Sequence, residues 1–401
     1  MNFYLSRKTI RRLPGIVIRA VPLPEPDVGE GFASRAQVGG ICRERGYRSV
    51  LLVTDKTIYS LGYHERIVRS LAENGVACTV FSDIASEPTV DIVLAGRQAA
   101  ADCGAECIIA LGGGSVLDSS KVIAASAKHC TRNISYYLQK FVFADTLPMI
   151  TVPSTAGTGA EMTVGAVVKD AKGVKKASVI VGLHVTDVIL DSELTENAPE
   201  KVTAACGIDA LSHGLEGCLA DVKVDEEDMH KSRECVRLVM ENLPALIEQP
   251  HDIERRQKLC LAANYGGNAI NKQLAGYVHA FAHTLGAYYH VSHGEAIARC
   301  LLPITRFQET ICRDKLRALS VYCGCADEQD AAETAVEKLL DRLGQLLEQC
   351  GFSGGFPALE EKDYPKLIRG IDADSINYSP AKTLTDGEIV RLLDEIKRGA
   401  V

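Results

Sequence analysis

The stretch ECIIALGGGSVLDSSKVIAASA, residues 106–127, decides the fold. It opens on an apolar run without period-two alternation, passes through three consecutive glycines, and continues as a helical pattern. An apolar run of this length closed by glycine reads as a strand buried on both faces, which calls for a parallel sheet covered on both sides. Glycine lets the backbone approach a ligand closely, and the start of the following helix offers amide groups to an anion. A pyrophosphate suits such a place. An ordinary strand-to-helix turn is served by one glycine, so three in a row favour the ligand.

The same alternation extends outward on both sides. SVLLVTD (49–55) and VACTVFSD (76–83) read as strands, and HERIVRSLAENG (64–75) and VDIVLAGRQAAADCGA (90–105) as helices. PMITVPST (148–155), GAVVKD (165–170), ASVIVG (177–182) and DVILD (187–191) carry the β character to Asp191. The texture then changes: HKSRECVRLVMENLPALIEQ (230–249) and TAVEKLLDRLGQLLEQCG (334–351) space their apolar residues at helical intervals. Ser192 and Thr195 are candidate helix caps at the change. The organisation predicted is an N-terminal extension over 1–28, a parallel-sheet α/β domain over 29–193, and an all-helical domain over 194–401.

Composition excludes several classes. The 401 residues are 46% hydrophobic and 24% charged, ordinary values for a folded globular chain. A net charge of −8 without a long basic run argues against nucleic acid as a partner. In the opening MNFYLSRKTIRRLPGIVIRAVPLPEP, Pro14, Gly15 and Arg19 interrupt what a signal peptide would need. No run approaches the roughly 20 apolar residues of a membrane span, so the expectation is a cytoplasmic protein with no membrane partner. The 14 cysteines are scattered through apolar runs and read as reduced, buried thiols.

Three further stretches carry side chains suited to chemistry. Asp55 ends the first long strand, where a carboxylate accepts hydrogen bonds from ribose hydroxyls and repels a 2′-phosphate, or else simply caps a helix. TVPSTAGTGAEMT (151–163) gathers Ser154, Thr155 and Thr158 after another strand, as a nucleotide-binding loop or a polar surface loop. CGIDALSHGLEG places Asp209 and His213 four apart on one helical face. GYVHAFAHTLGAYYHVSHGEA (276–296) holds four of the ten histidines, with His279 and His283 again four apart. The helix is expected to end before His293, leaving that ring free to fold back. Each pair alone is ordinary, but one Asp with three His forms a reasonable ligand group for Fe²⁺ or Zn²⁺. Glu216, one turn after His213, could support a metal ligand but reads rather as solvated or capping, and DVKVDEED (221–228) as a solvated acidic loop.

GGGSVLDSSK, PSTAGTGAE, GIDALSHGLEG and VHAFAHTLGAYYHVSHG, in this order and at these spacings, resemble the iron-containing (group III) alcohol dehydrogenases from about residue 29 onward. That resemblance implies a Rossmann-like dinucleotide-binding domain followed by a helical domain, in the dehydroquinate synthase-like architecture. It implies metal ligands at Asp209, His213, His279 and His293. His283 matches a residue beside substrate and nicotinamide, and His290 is incidental. Matching cofactor positions are Asp55, Gly113, Gly114, Ser115, Asp118, Lys121, Ser154, Thr155, Thr158, Thr163 and Lys176. The implied activity is hydride transfer between NAD(H) and a small alcohol or aldehyde, with iron or zinc as metal, in a homodimer or larger homo-oligomer. The acidic Asp55 favours NAD over NADP. The chain departs from the family pattern at Ser154, at VSHGE, at HGLEGCLA and at Gly165, which bears on pocket size and substrate. Two alternatives remain open at this stage: a zinc-dependent polyol dehydrogenase of the glycerol dehydrogenase kind, and a metal-dependent hydrolase. The hydrolase leaves Asp55 and the PSTAGTGAE loop without a purpose.

Overall fold

The computed structural model describes residues 23, 25–85, 88–376 and 378–399. Apart from residues 23 and 25–28, the extension expected over 1–28 lies outside the described residues. The chain divides into two compact units. One holds the described residues up to Asn197 together with His251–Cys260, and the other holds Ala198–Pro250 and the described residues from Leu261 onward.

The first unit is built on strands β1 (Asp27–Glu30), β2 (Ser49–Asp55), β3 (Ala77–Ile84), β4 (Cys107–Gly112), β5 (Phe141–Phe143), β6 (Met149–Pro153), β7 (Gly165–Lys169), β8 (Lys175–Val181) and β9 (Val185–Leu190). Six of them form one sheet in the order β1-β9-β6-β4-β2-β3, every neighbouring pair parallel. β4, β6 and β9 are buried along their whole length, β4 as its unbroken apolar sequence requires. The buried Thr151, Thr186 and Asp187 of β6 and β9 are paired with Asp187 O, Met149 O and Arg45. Helices α1 (Val38–Glu44), α2 (Lys56–Ser60), α3 (Glu65–Glu73), α4 (Val90–Asp102) and α5 (Gly114–Ala127) connect the strands. From β2 the chain moves outward to β3 and then returns to the other side of β2 as β4. That reversal opens a crevice at the carboxyl ends of β2 and β4, the usual ligand position in an open α/β sheet.

A second, three-stranded sheet in the order β5-β8-β7 accounts for part of the later β character. β7 and β8 pair antiparallel, while β5 runs parallel to β8. The caps expected at Ser192 and Thr195 are not used as such. These residues lie in a short 3₁₀ turn, and Asp191 does the capping, accepting from the Glu193 amide at 3.1 Å. Arg35 holds the other oxygen of that carboxylate at 2.6 Å, so Asp191 is already fixed in place at the end of β9.

The second unit carries α6 (Glu200–Leu219), α7 (Glu226–Glu248), the later turns of α8 (Ile253–Gln273), α9 (Tyr277–Tyr289), α10 (His293–Phe307), α11 (Glu309–Tyr322), α12 (Ala332–Gln349), α13 (Tyr364–Ser375) and α14 (Asp386–Arg398), with no strand among its described residues. α6 is buried from Gly207 through Leu219, so every polar side chain on that stretch needs a partner inside the unit. The acidic 221–228 segment is only partly a loop. Asp225 caps α7, accepting from the Asp228 amide at 2.9 Å, and Glu226, Glu227 and Asp228 form the first turn, where negative charge suits the helix dipole. All fourteen cysteines are free thiols.

Candidate functional site

Around the crevice of the α/β unit, β2, β4 and β6 each deliver an expected cofactor residue or loop. Asp55 closes β2, and its Oδ1 accepts from the Thr57 and Ile58 amides at 2.8 and 2.9 Å, so the capping role is real. β4 ends in Gly112, Gly113 caps α5, and Gly114 and Ser115 begin it. The loop after β6 folds over these glycines. Ser154 donates its amide to Gly112 O at 3.0 Å, and a Cβ on Gly113 or Gly114 would sit 3.4 Å from Thr155 or 3.3 Å from Thr158. Two glycines facing two hydroxyl side chains leave a small polar cradle at a helix N-terminus, suited to a phosphate.

Four expected cofactor positions lie further along. Lys121 is fully buried, and its ammonium donates to Asp118 Oδ1 at 3.2 Å, Thr163 Oγ1 at 3.0 Å and Gly165 O at 2.6 Å. Asp118 uses its other oxygen to accept from the Val167 amide at 2.9 Å. Together they bind α5 to β7 and so fix the wall of the small sheet. Lys176 stands on β8, partly exposed, 3.5 Å from Asp170 Oδ2.

The helical unit assembles a second centre. Asp209 and His213 project from one face of α6, as their four-residue spacing demands. His279 and His283 do the same on α9. His290 ends α9 with φ 56°, and the chain turns so that His293, the first residue of α10, comes back to the group. The Nε2 atoms of His213, His279 and His293 lie 3.6, 3.6 and 3.2 Å from Asp209 Oδ1. The rings of His213 and His279 stack with centroids 4.6 Å apart. Asp209, His213 and His279 are buried, while the His293 side chain is 40% exposed and leaves one side of the cluster open.

The electrostatics follow from that burial. Burial opposes ionisation of Asp209, yet His213, His293 and His279 hold its carboxyl well below the usual range. Burial pushes His213 down to about 4. For His279 burial also lowers, but Glu216 and Asp209 prevail and raise it to about 10. Asp209 Oδ1 and His279 Nε2 are buried with no hydrogen-bond partner. A buried carboxylate oxygen ringed by three imidazole nitrogens, with its polar atoms unsatisfied, fits a divalent metal.

Two features complete the cluster, of which Glu216 is a candidate cap or support in the sequence and the other leaves no signal there. Glu216 is not solvated: it is buried, with Oε2 2.6 Å from His279 Nδ1 and Oε1 accepting from the Val278 amide at 2.6 Å. It caps α9 from another helix, and Gly276 makes room for it, since a Cβ there would meet Glu216 Oε1 at 2.7 Å. Its position one turn from His213 was the available signal. His283 Nδ1 lies 2.9 Å from Asp374 Oδ2 and 3.0 Å from the Tyr378 hydroxyl. Those partners are 91 and 95 residues away in sequence and belong to no recognisable local pattern.

Comparison with known proteins agrees with this geometry. The model of the iron-containing alcohol dehydrogenases matches residues 27–192, and that of the family's C-terminal region matches residues 203–396. A probable alcohol dehydrogenase, EutG of Salmonella typhimurium, is 31% identical over 365 residues, covering 90% of this chain and 91% of that protein. The crystal structure of a 1,3-propanediol oxidoreductase superposes with a TM-score of 0.88 at 25% identity, over 94% of this chain and 99% of the other. A sulfoacetaldehyde reductase from Bifidobacterium kashiwanohense, solved with NAD⁺, gives a TM-score of 0.84 at 25% identity, with 94% and 98% covered. The chain belongs to the iron-containing alcohol dehydrogenase family. It is an oxidoreductase of the alcohol–aldehyde class, and neither the glycerol dehydrogenase nor the hydrolase alternative is favoured. Among the described residues no helix is long and apolar enough to cross a membrane.

Proposed function

We propose that the chain is an NAD-linked, iron-dependent dehydrogenase of small alcohols, or a reductase of the matching aldehydes. The observation that carries this reading is the convergence of three imidazole Nε2 atoms on the unsatisfied Asp209 Oδ1. Asp209, His213, His279 and His293 hold the metal, and zinc is the alternative ion for the same donor set. Once bound, the metal supplies Lewis acidity toward the substrate oxygen and the nicotinamide supplies the hydride chemistry.

The chain's own residues do the rest. Glu216 holds the His279 ring so that Nε2 faces Asp209. The exposed edge at His293 leaves space for the substrate oxygen. His283, whose ring centroid is 5.1 Å from that of His293, takes the hydroxyl proton in oxidation and returns it in reduction. Partial desolvation pulls His283 below its ordinary value, against the pull of Asp374, so the ring is neutral and ready to accept. Residues 29–193 bind the dinucleotide and residues 194–401 carry the metal. Asp55 meets the ribose and disfavours a 2′-phosphate, and Gly113, Gly114, Ser115, Ser154, Thr155 and Thr158 line the phosphates. Asp118, Lys121, Thr163 and Lys176 support the nicotinamide side. NAD is supported by the relative solved with NAD⁺.

The test is anaerobic purification followed by NADH oxidation over a panel of short aldehydes, with and without added Fe²⁺. Iron-dependent turnover is expected. Turnover confined to polyols with zinc, or no NADH oxidation with any aldehyde, contradicts the reading.

A further inference from the structure

We propose that Asp374 and Tyr378 form a positioning pair that holds His283 in the tautomer with a proton on Nδ1 and a bare Nε2. The inference rests on the dehydrogenase reading and names what that reading leaves open, namely how His283 is kept able to accept a proton.

The geometry is a closed triangle. His283 Nδ1 lies 2.9 Å from Asp374 Oδ2, the Tyr378 hydroxyl donates to the same oxygen at 3.1 Å, and that hydroxyl is 3.0 Å from Nδ1. A carboxylate only accepts, so Oδ2 takes a proton from each neighbour. Burial and the Asp374 charge raise Tyr378 well above its ordinary value, which keeps its hydroxyl a donor. With the phenol proton directed at Oδ2, Nδ1 can only donate. A neutral imidazole that donates from Nδ1 accepts at Nε2, the nitrogen left for a substrate hydroxyl.

A purely structural pin is the competing account, and exposure argues against it. The side chains of His283 and Asp374 are 45% and 28% exposed, and a polar side-chain contact so open to solvent contributes little to stability. What such a pair does control is the ring's tautomer and tilt, as partners on the far nitrogen of a functional histidine commonly do.

The triangle also makes an unusual prediction. Without Asp374, the one remaining partner of Nδ1 in the triangle is the Tyr378 hydroxyl, which can either donate or accept. The ring then has no fixed tautomer, and the share that carries its proton on Nε2 is blocked from accepting one there. Removing the hydroxyl instead leaves Asp374 to accept from Nδ1, so Tyr378→Phe should keep the tautomer and lose far less activity than Asp374→Ala.

The experiment is ¹⁵N NMR of the His283 ring in the full chain with diamagnetic zinc added, together with kcat and KM for alcohol oxidation. The unaltered chain should show Nδ1 protonated and Nε2 bare. Asp374→Ala should shift the ring from Nδ1–H to a mixture with Nε2–H and lower kcat on the order of 10-fold, with KM within about twofold. Tyr378→Phe should keep Nδ1 protonated and stay within about threefold of the unaltered kcat, a split between the two variants that a merely structural role would not produce. Asp374→Leu, similar in size and unable to accept a proton, should shift the ring in the same direction and covers the case in which Asp374→Ala fails to fold. An unchanged ring assignment in folded Asp374→Ala or Asp374→Leu, or a Tyr378→Phe ring that loses its Nδ1 proton, overturns the proposal. Absence of alcohol oxidation by the unaltered chain would instead sink the proposed function, and the ring assignment would still decide the positioning role.

Discussion

Glu216 Oε2 sits 2.6 Å from His279 Nδ1 while its other oxygen accepts the Val278 amide, so one buried carboxylate orients the ring and caps the helix that carries it. Glu216→Gln keeps the size and removes the charge that makes Nε2 a better donor to a metal. Second-layer changes of this kind typically weaken metal binding by about 10–100-fold. Competition against a chelator measures this, and an unaltered metal affinity in Glu216→Gln would show that Glu216 does not act through His279.

The metal-free chain should be most stable near pH 6.5 and weaken on both sides. His279 has a folded value raised to about 10, so its contribution is complete below its ordinary 6.5 and is lost as pH climbs toward 10. His213 is pushed down to about 4, so the unfolded chain binds the extra proton and stability falls as pH drops from 6.5 toward 4. Denaturant midpoints of the metal-free chain across this range check both slopes. The same raised value means that metal uptake near pH 8 should release about one proton, visible by calorimetry in buffers of different ionisation enthalpy.

Much of this architecture is legible in local pattern. β4 is apolar on both faces and ends in glycine, and the i,i+4 pairs Asp209/His213 and His279/His283 fall on helices as spaced. What is not legible depends on distant partners. β1 is four residues of mixed exposure, and its pairing with β9 is a contact across the whole unit. Ser192 offers a hydroxyl where a cap is wanted, yet the Asp191 carboxylate, fixed by Arg35, wins. Glu216 looks like any polar helix residue until α9 is laid across it. Asp374 and Tyr378 meet His283 only because α13 packs against α9.

Cofactor choice can be separated from capping at Asp55. Asn caps a helix about as well as Asp, so Asp55→Asn should leave α2 intact while removing the negative charge. A carboxylate facing a phosphate through water costs on the order of 1 kcal/mol. The ratio of kcat/KM for NADPH to that for NADH should therefore rise about fivefold. An unchanged ratio would remove Asp55 from the cofactor site.

Lys121→Met tests the brace between α5 and β7. The substitution leaves Asp118 Oδ1 and Gly165 O without their shared buried donor. Breaking one side of a buried charged group typically costs on the order of 3 kcal/mol. The urea midpoint should fall accordingly, and a midpoint equal to that of the unaltered chain would show that the ammonium is not needed there.

The most direct test of the central claim is metal content measured beside NADH-linked turnover in the unaltered chain and in His279→Ala. Near-stoichiometric iron with aldehyde reduction in the first, and loss of both in the second, is the predicted result. Iron content and turnover that survive in His279→Ala would contradict the four-residue metal centre.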